Sequence, residues 1–313
     1  MPAIITHEFF GRSVYERLES TIGTSVDEKQ AFLLGNQGPD PLFYAVAAPL
    51  IAGFSAFGST MHHLHTNEEL VAFREALDAL PEEEQSVGRA YLLGFLCHYL
   101  LDSTMHPLVY SQQYALCDAG VDGLSRKDGN EVHAIIESEL DEVVLFTRTG
   151  HTIETFNTST EILQASDDVL RVVGSLYTPM AAAAFEQPMN PRVFGTCVKG
   201  FRLVQSLFYS PSGKKREALG RLEELVRPYS FYRSMSHRVV EATECAFDNH
   251  EHAPWKNPFT GERSEASFWD LFESAQARAE NVFETFLQEG FTLEAAQAIT
   301  AGKNFSGNPQ GSK

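Results

Sequence analysis

The stretch Gly94-Phe95-Leu96-Cys97-His98-Tyr99-Leu100-Leu101-Asp102-Ser103-Thr104-Met105-His106-Pro107 spaces three ligand-type side chains four residues apart in an apolar run. On a helix of 3.6 residues per turn, each step of four advances only about 40° around the axis. His98, Asp102 and His106 therefore share one face. Unpaired polar groups in a buried helix cost about 1–3 kcal/mol each. Three of them together call for partners, and a common cation is the simplest one. Three separately hydrogen-bonded side chains are the bland alternative. Upstream, Glu82, Glu83 and Glu84 follow Pro81 and suit the first turn of a helix. Pro107 disfavours helix at the residue before it. The spacing thus predicts a long helix over 82–106.

Working outward, helical periodicity dominates. Phe9, Phe10, Val14, Leu18 and Ile22 repeat at helical intervals over 9–22. Thr66-Asn67-Glu68-Glu69 has the form of a capping box ahead of Leu70 and Phe73, predicting a helix over 67–79. Further helices are expected at about 130–146, 158–173, 192–209, 214–226, 234–250, 266–289 and 292–301. Strand-like alternation is scarce, and no fixed-period repeat is visible. Asn249 to Ser264 reads as a loop. The expectation is an all-α chain with one multi-helix domain over 1–302 and a disordered tail over 303–313.

Of 313 residues, 43% are apolar, enough for a sizeable core. The formal net charge of −18 argues against a stable nucleic-acid complex, which calls for a basic stripe. It does not exclude a phosphate substrate, because bound metal ions supply positive charge locally. Cys97, Cys117, Cys197 and Cys245 form no CxxC spacing and read as reduced thiols. The start, MPAIITHEFF, lacks a basic region followed by a long apolar one. The apolar run Ala45 to Phe57 is shorter than the roughly 20 residues a membrane span needs. A soluble, cytoplasmic protein is expected. Oligomeric state is not legible.

Other ligand-type residues cluster in the same half of the chain. His133 and Glu137 stand four apart on an expected helix, a spacing equally typical of a surface pair. Asp40 sits between Pro39 and Pro41 in a Gly/Pro turn, with a fixed backbone. His62, His63 and His65 are three histidines in four residues, of which one or two can serve a single site. His7 is near the start. Seven of the eleven histidines precede residue 134, which favours one shared site over scattered surface residues. Oxygen and imidazole ligands without thiolate suit catalytic rather than structural zinc.

The order His7, Asp40, His62, His98, Asp102, His106, His133, Glu137 resembles the zinc-dependent phospholipase C family, whose superfamily includes the fungal single-strand-specific zinc nucleases. Trp255 to Pro258 and Ser267-Phe-Trp-Asp-Leu resemble the intracellular bacterial branch. The resemblance implies a helical fold holding two or three Zn2+ ions. Asp40, His62, His98 and Asp102 would hold one; Asp102 would bridge to a second, also bound by His7; His106, His133 and Glu137 would hold the third. His62 is preferred by its position after Gly58 and Met61, with His63 and His65 as competitors. Secreted members place a longer gap between the bridging Asp and the next His. They also use the amine of an N-terminal Trp; here removal of Met1 would expose the amine of Pro2. The implied activity is hydrolysis of a phosphodiester by metal-activated water, with Asp40 orienting the water or accepting its proton. The substrate would be a phospholipid or a small soluble phosphoester, with Ala45 to Phe57 a possible apolar lip or a buried loop. A non-catalytic metal-binding or scaffolding protein on the same fold, and a zinc nuclease or nucleotidase, are the alternatives.

Overall fold

The computed structural model describes residues 3–120, 123–225 and 230–310. Helix α1 (Ile4–Ile22) buries Ile5, Phe10, Val14 and Ile22 along one stripe. It has no side-chain cap of its own. Its orphaned first-turn amides, those of Ile5 and Thr6, donate instead to the carboxylate of Asp141 at 3.2 and 2.7 Å. Helix α2 (Val26–Gly35) opens on a capping box formed by Ser25 and Glu28. A tight turn follows, with Gly38 at φ +51°. Two 3-10 helices, Asp40–Ala47 and Pro49–Ile51, lead into α3 (Phe54–His63) and α4 (Thr66–Asp78).

Helix α5 (Glu82–Cys117), 36 residues long, is the axle of the molecule. It packs against α1, α2 and α4 and, downstream, against α6 (Gly129–Thr149). Then come α7 (Thr158–Glu161), α8 (Asp167–Phe185), α9 (Arg192–Phe208), α10 (Lys214–Glu223) and α11 (Phe231–Met235). A two-stranded antiparallel hairpin, β1 (Trp255–Lys256) with β2 (Arg263–Ser264), pairs Trp255 with Ser264. Helices α12 (Phe268–Leu287) and α13 (Leu293–Thr300) follow, and α12 also lies along α5. The fold is therefore all-α, and one continuous apolar cluster runs from Ile4 to Phe305. Among the described residues no helix is long and apolar enough to cross a membrane.

Two glycines decide how closely α2 meets α5. A Cβ at Gly35 would lie 2.1 Å from the Tyr91 carbonyl oxygen, and one at Gly94 would lie 2.0 Å from that of Phe32. Only a hydrogen at each position lets the two backbones touch, and that contact lays the turn after α2 on the His98 face of α5.

The structure departs from the sequence reading in several places. Helix α5 does not end at His106 but runs on to Cys117, with Pro107 inside it. Pro107 leaves the Ser103 carbonyl without its helical donor. Gly307 packs beside that oxygen and the proline ring, so the break is covered. Helices α2 and α3 are additions. The expected helix over 158–173 is split into α7 and α8. The stretch expected as helix over 234–250 is largely irregular. There, His237 and the Arg238 amide are drawn onto Asp141 and Glu142 of α6 instead. The expected disordered tail is packed over 303–310: Phe305 is fully buried, and Asn304 Oδ1 accepts from the amides of Ser306 and Asn308, closing a tight loop. Residues 311–313, and Pro2, lie outside the described residues.

Candidate metal centre

The face of α5 predicted from its spacing points inward. His98, Asp102 and His106 are all buried. Helix α1 brings His7 against them, with its Nε2 3.1 Å from Asp102 Oδ1 and its ring stacked on His98 at 4.3 Å. The other Asp102 oxygen, Oδ2, is 3.3 Å from His98 Nε2 and 3.8 Å from His106 Nδ1. The two oxygens of one carboxylate thus face different histidines. From the turn and the 3-10 helix after α2, Asp40 Oδ1 comes within 3.0 Å of His62 Nε2 on α3. From α6, Glu137 Oε1 lies 3.1 Å from His133 Nε2 and 3.4 Å from His106 Nε2. His63 and His65 are exposed. All eight residues singled out in the sequence meet in one buried region, as three sets: Asp40, His62 and His98; His7, His98 and Asp102; His106, His133 and Glu137.

Four of the five histidines are oriented from behind, while His7 Nδ1 is buried without an acceptor. His62 Nδ1–H donates to the Gly58 carbonyl at 2.7 Å, His98 Nδ1–H to that of Asn36 at 3.2 Å, and His106 Nδ1–H to that of Phe305 at 2.9 Å. His133 Nδ1–H donates to Gln113 Oε1 at 2.8 Å. A carbonyl oxygen only accepts, so each of these contacts puts the proton on Nδ1 and leaves the Nε2 lone pair facing the centre. This is the arrangement of metal-binding histidines. The Asn36, Gln113 and Phe305 acceptors were not found by sequence reasoning. Backbone carbonyls carry no residue signature, and Gln113 lies beyond the proline at which the helix was expected to stop.

The electrostatics suit a cation. Burial alone would raise the pKa values of Asp40, Asp102 and Glu137, but the surrounding histidines outweigh it and hold all three below the usual carboxylate range. Burial pushes His98 down to about 4 despite Asp102 beside it. Burial also opposes charge on His106, but Asp102 and Glu137 raise it to about 10. Protons and a metal ion compete for these lone pairs. Asp40 Oδ1, His62 Nε2, His98 Nε2, Asp102 Oδ2 and Glu137 Oε2 are buried without a hydrogen-bond partner. Orphaned atoms converging on one place are what a set of absent cations leaves behind. Two nitrogens and one oxygen in a set, with room for a further ligand, are the donor pattern of a catalytic zinc. A cavity of about 30 Å³ opens beside His7, Asp102, His106 and Glu137 and is walled by Leu101, Met105 and Phe268 among others.

A family model described as zinc dependent phospholipase C matches residues 6–186, more than half of the chain. Comparison with curated proteins and with solved structures gives no match.

Proposed function

The chain belongs to the zinc-dependent phospholipase C family, and from that premise we propose that it is a zinc-dependent phosphoesterase that hydrolyses a phosphodiester. The observation that carries this reading is the convergence of orphaned Nε2 and carboxylate atoms in three sets, with each set able to supply three ligand atoms. Asp40, His62 and His98 would hold one ion. His7 and Asp102 would hold a second, with Asp102 shared between the two. His106, His133 and Glu137 would hold a third. Zinc bound there supplies Lewis acidity toward phosphoryl oxygens and activates water for attack on phosphorus.

The protein's own groups do the rest. Carbonyl acceptors hold His62, His98, His106 and His133 in one tautomer, so these four need no reorganisation when substrate arrives. Leu101, Met105 and Phe268 keep bulk water from the reacting groups and strengthen the field inside. Asp40, ionised and with one oxygen unpartnered, is the group to orient the attacking water or accept its proton. Val46 and Leu50, six and ten residues beyond Asp40, are exposed and give the apolar lip that an acyl chain would follow. A phospholipid or a small soluble phosphoester, met in the cytoplasm, is the substrate class proposed. The net charge of −18 weighs against a nuclease.

The test is hydrolysis of bis-p-nitrophenyl phosphate alongside zinc content by atomic spectroscopy. Zinc-dependent turnover that chelation abolishes supports the reading. Stoichiometric zinc with no turnover on any phosphoester would favour a non-catalytic metal-binding or scaffolding protein on the same fold. Absence of zinc binding would overturn both.

A further inference from the structure

We infer that residues 303–310 are a strap that completes the metal centre, with the Phe305 backbone carbonyl as the positioning group for His106. The inference rests on the zinc-binding reading above and adds to it a segment that lies beyond the stretch matched by the family.

Contacts tie the strap to α5 at Tyr99, Ser103, His106 and Pro107, and to α3 at His62. Tyr99 O–H donates to the Lys303 carbonyl at 3.0 Å. Gly307 sits against the Ser103 carbonyl and the Pro107 ring, and it is at φ +72°, where a side chain is strained. His106 Nδ1–H donates to the Phe305 carbonyl. At the opposite wall, the Phe305 amide donates to the His62 carbonyl at 3.3 Å. The Phe305 ring then fills the space between them, 5.1 Å from the His62 ring and 5.7 Å from that of His98. One residue therefore touches three of the proposed zinc-binding histidines, on two helices.

His106 differs from the other histidines in where its acceptor comes from. His62 is oriented from within its own helix, His98 from the turn that α2 delivers, and His133 by Gln113 of α5. The His106 acceptor is 199 residues away in sequence. Without the strap, the one other group among the described residues that faces this Nδ1 is Asp102 Oδ2 at 3.8 Å. A ring that turned to that carboxylate would no longer present Nε2 to Glu137 and His133.

Binding linkage is reciprocal: if the strap supports zinc, zinc supports the strap. The first measurement is hydrogen exchange on the wild-type chain, zinc-loaded and chelated, with α9 as an internal reference. Exchange over 303–310 is expected to speed up on chelation by at least about tenfold more than exchange over α9, which reads the loss of global stability. The second is zinc transfer to a chelating dye from two variants checked for native helix content by circular dichroism. Gly307→Val drives a Cβ into the Ser103 carbonyl and is expected to release one ion roughly 10–100-fold faster. Leu222→Ala, at an exposed position on α10, is the control and is expected to release zinc as the wild type does. Exchange over 303–310 that rises no more than that over α9 on chelation overturns the inference. So does a folded Gly307→Val chain with native zinc content and release rate. If Gly307→Val does not fold, the wild-type exchange decides alone. A wild-type chain that binds no zinc sinks the phosphoesterase reading as well, whereas zinc bound but uncoupled from 303–310 sinks the strap only.

Discussion

Asp102 reaches further into the centre than its neighbours, since its two oxygens face His7, His98 and His106. Asp102→Asn keeps the shape but puts an N–H donor where lone pairs converge. Zinc content is expected to fall, and turnover of bis-p-nitrophenyl phosphate to drop by more than the roughly 100-fold that changes behind a ligand cause. Full turnover at native metal content would contradict a bridging role. A second buried carboxyl behaves oppositely. Glu69 is fully buried on α4, both oxygens lack partners, and burial pushes its pKa well above the ordinary 4.5. The folded state keeps this proton at pH values where the unfolded chain releases it. Stability is therefore lost as pH rises from 4.5 toward the raised folded value. Glu69→Gln is expected to melt at a higher temperature than the wild type, with a gap that widens as pH rises above 4.5. A constant gap would mean Glu69 is not the titrating group. Five of the eight candidate ligands, His98, Asp102, His106, His133 and Glu137, were legible because His and carboxylate residues at intervals of four are a local signal, whereas His7, Asp40 and His62 were joined to them through the family resemblance. Glu69 was not legible, because Thr66-Asn67-Glu68-Glu69 has the same composition as an exposed capping box.

At the scale of the element, the contact of α2 with α5 is the most exacting. Gly94→Ala places a methyl 2.0 Å from the Phe32 carbonyl and must force the backbones apart. A loss of about 1–3 kcal/mol in urea denaturation is expected. Weaker zinc binding should accompany it, because the Asn36 carbonyl that orients His98 moves with α2. Native stability in this variant would refute the close approach. Helix α4 was readable to within a residue at each end, whereas the expectation for α1 missed its first five residues, 4–8, the turn that carries His7. Helix α3 was hidden by Gly58, Ser55 and Ser59, whose low propensity is overridden by the burial of Phe57, Met61 and His62. The end of α5 was misread because Pro107 costs a helix its hydrogen bond only locally, and Gly307 covers the exposed carbonyl. The segment over 303–310 looked polar, and a single Phe305 decided its fate.

For the whole molecule, the proposed ions join α1, the segment after α2, α3, α5 and α6. Cations that bind the folded chain alone stabilise it by mass action, about 2.7 kcal/mol per site at a free concentration 100-fold above Kd. Chelation is therefore expected to lower the melting temperature by about 5 °C or more, by calorimetry, and zinc to restore it. A melting temperature indifferent to chelator would remove the ions from the stability of the fold. The acidic surface, at −18 overall, keeps the local cation concentration high without touching the site itself. The pairing of His106 with Phe305 also has a consequence in time. At roughly 5–20 residues per second on the ribosome, the 199 residues between them take about 10–40 s to be made. Every candidate ligand has been made well before the carbonyl that steadies one of them exists, so the centre cannot be finished until residue 305 has been added.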